Sequence, residues 1–263
     1  MPCQLESLRS KIFFTYKAVS YMDAWQDLNR EFHIWIGYLG LVAFWVPILT
    51  RKGGIIHRRS GTIFRYCGWI VVASALFAVM SYLSQLLAQG EGPASQPDNW
   101  SFLLFLGYLA IITGMALSHG IAVLKYKRDL RLLASPFRIG LAWLGIITSA
   151  LLIAWALYWQ PSIMWVLLAL SPIGILTGYG MLKLMKTAPT DPKTWLYEHL
   201  GAMIGAGIAF HTAFAVFGAN QMFNYSLSGF WQVVPWIAPA AIGIPATQLW
   251  IRHYQNGGRL KAR

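Results

Sequence analysis

Seven apolar runs divide the chain, at about residues 32–50, 62–87, 101–124, 137–159, 162–184, 195–218 and 230–252. Each supplies the roughly 17–25 residues that a membrane-spanning helix needs. Within hydrocarbon, a loop or open strand would leave backbone N–H and C=O groups unpaired, so every run is predicted to be a helix. Pro47, Pro172, Pro235, Pro239 and Pro245 fall inside runs. Membrane helices accommodate proline as kinks, and the last run, with three, is predicted to bend most. Residues 1–31 hold four basic and four acidic side chains and cannot span. There Leu5, Leu8, Ile12, Val19 and the Phe13-Phe14 pair suit an amphipathic helix lying on the membrane surface. The expected architecture is all-α: an interfacial segment over 1–31, a seven-helix transmembrane bundle over 32–252 and a basic tail over 253–263.

Composition agrees, with 57% of the 263 residues apolar and only 11% charged, outside the usual range of soluble domains. The formal charge of +12 would suit nucleic acid, but no recognition motif accompanies it. The cations instead cluster between runs. Arg51, Lys52, Arg58, Arg59 and Arg65 follow the first run, and Lys125, Lys127, Arg128, Arg131 and Arg138 follow the third. Lys183, Lys186 and Lys193 follow the fifth, and Arg252, Arg259, Lys261 and Arg263 the seventh. The connections after the second, fourth and sixth runs contain no Lys or Arg. This asymmetry predicts an external amino terminus and a cytoplasmic carboxyl terminus. The expected setting is a bacterial inner membrane, with the lipid bilayer as partner, no nucleic acid, and room for a membrane partner subunit or a homo-oligomer. Cys3 and Cys67 form no metal or redox spacing.

Chemistry is sought among the ionisable groups near the spans, because such groups are costly in lipid and usually serve function. With that orientation, His57, His119, His199 and His253 gather toward the inner leaflet, His119 roughly 8 Å above the end of its helix. His33 lies at the outer surface, and His211 roughly 10 Å below it. Glu198 is the one carboxylate within the apolar runs beyond residue 31. Adjacent helix positions diverge by about 100°, so Glu198 and His199 are expected to address different neighbouring helices. A plain structural reading pairs Glu198 with Arg58 or Arg59 and lets His199 cap a carbonyl. Gly201 and Gly205 form a GxxxG, extended by Gly207, of the kind that lets helices approach closely. Gly37-Tyr38-Leu39 recurs as Gly107-Tyr108-Leu109, a faint internal echo.

Two motifs carry a family resemblance. The stretch RKGGIIHRRSG over residues 51–61, preceded by His33, resembles the KGxxHRxxG signature of bacterial multi-spanning membrane proteins grouped as domain of unknown function 2306, with one residue more between Gly53 and His57. In WLYEHLGAMIGAGIAFHTAF, Trp195, Glu198, His199, Met203 and Thr212-Ala213-Phe214 are similar to a later helix of the same family. The resemblance implies a polytopic membrane fold and brings no reaction with it.

Three functional readings follow. Haem b needs two histidines at matched depth on different helices, which His119 and His199 offer; His33 with His211 matches poorly. Such a site would be redox-active. Zinc could be held by His57, His119 and His199 with Glu198 as base, an open site fit for intramembrane hydrolysis. The predicted orientation resembles that of the alkaline ceramidases, although the histidines one turn apart that mark those enzymes are missing. A third reading is a non-catalytic carrier or assembly component, in which the histidines only pack and pair.

Overall fold

The structure, a computed structural model, describes the backbone of residues 2–187, 189–223 and 229–257, with the side chains of 2–23, 220, 221, 229 and 230 left out. The basic tail beyond residue 257 and the apolar positions proposed for residues 1–23 lie outside the described side chains.

Every regular element among the described residues is helical, the α-helices being α1 (Pro2–Leu49), α2 (Ile55–Ala88), α3 (Pro97–Lys125), α4 (Pro136–Trp159), α5 (Met164–Leu170), α6 (Pro172–Lys186), α7 (Thr194–Ala213), α8 (Ala219–Phe223) and α9 (Val234–Gln255). A π-turn over Phe214–Gly218 prolongs α7, and 3-10 turns occupy Leu130–Leu133 and Gly229–Val233. Seven helical stretches are long and apolar enough to cross a membrane: Ala24–Leu49, Ile55–Ala88, Pro97–Lys125, Pro136–Trp159, Met164–Lys186, Thr194–Gly218 and Trp231–Gln255. They correspond to the seven predicted runs. Large apolar side chains such as Trp35, Leu151, Leu176 and Ile242 stand exposed around the outside, where lipid would cover them.

Two boundaries differ from expectation. Helix α1 is continuous from Pro2 into the first span, so the amino-terminal segment and the span share one helix. The basic stretch is mostly helical too, because α2 already begins at Ile55 and takes in His57, Arg58 and Arg59. Only residues 50–54 connect α1 to α2. That short reversal is possible because Gly53 adopts φ +74°, while Gly54 is extended at φ −68°, ψ 171°, the first conformation being costly for other residues. Lys52 closes the connection from below: its Nζ donates to the carbonyls of Pro47 and Ile48 at 2.7 and 2.6 Å and lies 4.8 Å over the Trp250 ring.

Helix α3 is the central post. Half of its most apolar window is buried, against 11–39% for the other six spans, and it packs on α2, α4 and α7. Three apolar clusters surround it. Phe44, Phe64, Leu117 and Phe210 join α1, α2, α3 and α7. Met115, Val123, Leu133 and Met181 join its lower half to α4 and α6, and Phe105, Leu152, Leu167 and Trp236 its upper half to α4, α5 and α9.

The interruption by proline falls in the fifth span. The chain breaks between α5 and α6 at Ser171-Pro172, since proline offers no N–H to the preceding turn. Carbonyls at the break are met from α3. Tyr108, 3% exposed, donates its hydroxyl to the carbonyls of Ser171 at 2.8 Å and Leu170 at 3.1 Å, and accepts from the Gly174 N–H at 3.0 Å. By contrast, α9 is one helix despite Pro239 and Pro245, with Pro235 placed harmlessly in its first turn.

Candidate functional site

The site forms where α3 crosses α7. At Gly120 the two helices touch directly: a Cβ there would lie 2.9 Å from Met203 Sδ and 3.1 Å from Ala202 Cβ. This close approach brings consecutive residues of both helices into register. His119 Nε2 lies 2.9 Å from Glu198 Oε2, and His199 Nδ1 lies 2.8 Å from the Gly120 carbonyl oxygen.

Glu198 and His199 therefore address the same helix, contrary to the divergence expected of neighbours. Ala202 explains this. It is four residues from Glu198 and three from His199, so the two side chains straddle the direction in which Ala202 meets Gly120. With no side chain at Gly120, α3 is near enough to receive both. The predicted pairing of Glu198 with Arg58 or Arg59 is not formed; both arginines are exposed on α2. The carbonyl cap by His199 is formed.

Hydrogen bonding assigns the ring nitrogens. A carbonyl can only accept, so His199 Nδ1 carries a proton, and Nε2 is its lone-pair nitrogen when the ring is neutral. A carboxylate at Glu198 accepts Nε2–H from His119, which leaves Nδ1 as its second nitrogen. That atom is buried and has no hydrogen-bond partner among the described residues. Burial is asymmetric, the side chain of His119 being 4% exposed and that of Glu198 37%. Glu198 thus links a buried imidazole to the outside of the α3–α7 seam.

The other histidines are held separately. His57, in the first turn of α2, has Nδ1 3.1 Å from the Pro47 carbonyl. His33 Nδ1 lies 2.7 Å from Ser74 Oγ. His211 accepts from Trp45 Nε1–H at 3.0 Å and donates Nδ1–H to the Gly207 carbonyl at 2.7 Å. His33 and His211 therefore have different partners, on α2 and α1, and do not pair with each other. His253 packs edge-on against Tyr254.

As a metal set, His57, His119, His199 and Glu198 are not brought together: among the described residues no three His, Cys, Asp or Glu side chains group to hold an ion. As a haem pair, His119 and His199 lack a slot, because Gly120, Ala202 and Met203 are in contact between their helices. The GxxxG does not mediate this crossing either. Added Cβ atoms at Gly201 and Gly205 would meet nothing within 4 Å, whereas Gly207 packs on the Phe44 ring. Gly120 went unnoticed by sequence reasoning, and its only signal was its place beside an intramembrane histidine. No family model, curated protein or solved structure matches the chain.

Proposed function

We propose that this multi-spanning membrane protein is a proton-linked carrier in which Glu198 and His119 form the protonation site. One observation carries the reading: a carboxylate and an imidazole 2.9 Å apart inside the spans, with the second imidazole nitrogen buried and unpartnered. Ionisable pairs placed within membrane helices characteristically serve ion and proton pathways. The partly exposed Glu198 exchanges the proton: as a carboxylate it accepts His119 Nε2–H and leaves Nδ1 bare, whereas as a neutral carboxyl it donates its O–H to Nε2 and the ring hydrogen sits on Nδ1. Nδ1 therefore needs an acceptor in one state and none in the other, so protonation would favour a different packing of α3 on α7. The cation pattern of the connections supports a site toward the cytoplasmic face of a bacterial inner membrane, and the resemblance to the 2306 family belongs to the same reading.

Infrared difference spectra of purified protein between about pH 5 and about pH 8 test it. A carboxyl C=O band and an imidazole band should change together. Glu198→Gln should remove the first and displace the second. Carboxyl and imidazole bands unaltered by Glu198→Gln in a folded variant would overturn the proposal.

A metal reading keeps one point of support, the lone-pair nitrogens of His119 and His199 when both are neutral. It requires absorbance of haem, or bound zinc near one ion per chain, that His119→Ala and His199→Ala each abolish.

A further inference from the structure

Beyond the α3–α7 seam, a cleft of about 260 Å³ opens at the end of the bundle where α3 leaves and α7 begins. Residues 127–131 form one wall, and Pro189, Asp191 and Pro192 the other. The first wall is a fixed turn. Leu130 and Leu133, 4% and 0% exposed, anchor its 3-10 turn in the core, and Asp129 caps it through the Arg131 N–H.

Both carboxylates in the cleft are already engaged. Asp129 receives Arg131 Nε and Nη2 at 3.0 Å each, besides the Arg131 backbone N–H. Asp191 receives the Lys193 N–H at 2.7 Å and the Tyr197 hydroxyl at 2.9 Å. These bonds hold both carboxyls below the ordinary carboxylate range, so they stay ionised toward their own partners. Lys127 and Arg128 are left without a carboxylate among the described residues. Lys127 Nζ stands 5.7 Å over the Trp195 ring, and tryptophan favours the headgroup level of a membrane.

We infer that this cleft binds a phosphate-bearing anionic headgroup, with Lys127 and Arg128 as its cationic ligands. An ammonium and a guanidinium on one fixed turn suit a phosphate group, the guanidinium by paired N–H donors and the ammonium as a point charge. Basic pockets at helix ends facing the cytoplasmic leaflet hold anionic lipid headgroups by the same means. Free phosphate carries the same chemistry, so the two sources must be separated by experiment.

Full-length protein in neutral detergent would be titrated with dioleoyl phosphatidate, with phosphatidylcholine as blank and inorganic phosphate as the second ligand. Saturable phosphatidate binding is expected, weakened at least about tenfold in the Lys127→Gln/Arg128→Gln double variant. The Arg58→Gln/Arg59→Gln double variant removes as much charge from exposed positions of α2 and should bind within about twofold of the parent. Unfolding midpoints equal to the parent's would show that both variants are folded. Competition by inorganic phosphate would assign the site to the phosphate group alone, and its failure to compete would assign it to the lipid. Equal weakening in the two double variants, or none in the first, would overturn the site and leave these cations a role in topology only.

Discussion

The Tyr108 hydroxyl, on the third span, lies 2.8 Å from the carbonyl oxygen of Ser171, on the last residue before the break in the fifth. One side chain thereby supplies a donor to the carbonyls of Leu170 and Ser171 at the break, and an acceptor to the Gly174 N–H, which an unbroken helix would give to Leu170. Tyr108→Phe keeps the ring and strands these backbone groups in a dry interior. It should lower stability by about 1–3 kcal/mol, read as a fall in the unfolding midpoint in detergent. A midpoint equal to the parent's would mean that the break is satisfied without the hydroxyl.

The crossing of α3 and α7 makes a comparative prediction. Gly120→Val places methyl groups into Met203 and Ala202 and should cost about 1–3 kcal/mol as overpacking. Gly201→Val, in the more recognisable motif, enters open space and should leave the unfolding midpoint nearly unchanged. The reverse order would show that the GxxxG face is the packed one.

Asp191 gives a pH dependence of defined sign. Its carboxyl is held below its ordinary value of 3.8, first by the Lys193 backbone N–H and then by the Tyr197 hydroxyl. A depressed folded value means that the stabilisation is present above 3.8 and is lost as pH falls through the folded value. Asp191→Ala should therefore unfold at a lower temperature than the parent at neutral pH. The gap should close under acid titration below 3.8. A constant gap across that range would assign the effect to something other than the charge.

Topology can be read with fusions. A reporter after Arg263 should report the cytoplasm, and one inserted in residues 89–100 the opposite side, because no Lys or Arg lies in that connection. An external carboxyl terminus would invert the membrane face assigned to the Glu198 site.

Hydropathy made the seven spans legible, since the need to pair every backbone group leaves helix as the only answer for such runs. It misjudged His57–Arg59, where polarity looked like loop although long cationic side chains can leave a helix for water. Glu198, His119 and His199 were legible as candidates but not as a constellation. Their pairing depends on how α3 and α7 are rotated, and spans that are apolar nearly all round give little periodicity to reveal it. Tyr108 was noticed only as part of an echo with Tyr38. The two differ in place: Tyr38 packs edge-on to Phe214, and nothing short of the bundle shows that Tyr108 reaches a break 63 residues away.

The separation of His119 from Glu198 also has a consequence for biosynthesis. They are 79 residues apart, and chains grow at about 5–20 residues per second. The third span must then enter the bilayer about 4–16 s before its carboxylate partner is made. During that interval the imidazole has neither Glu198 nor the α7 surface around it. Its helix, the most deeply covered in the finished bundle, holds that uncovered polar group in lipid or at the insertion machinery until α7 arrives. Slowing synthesis between the third and sixth spans would expose that unfinished intermediate to quality-control proteolysis.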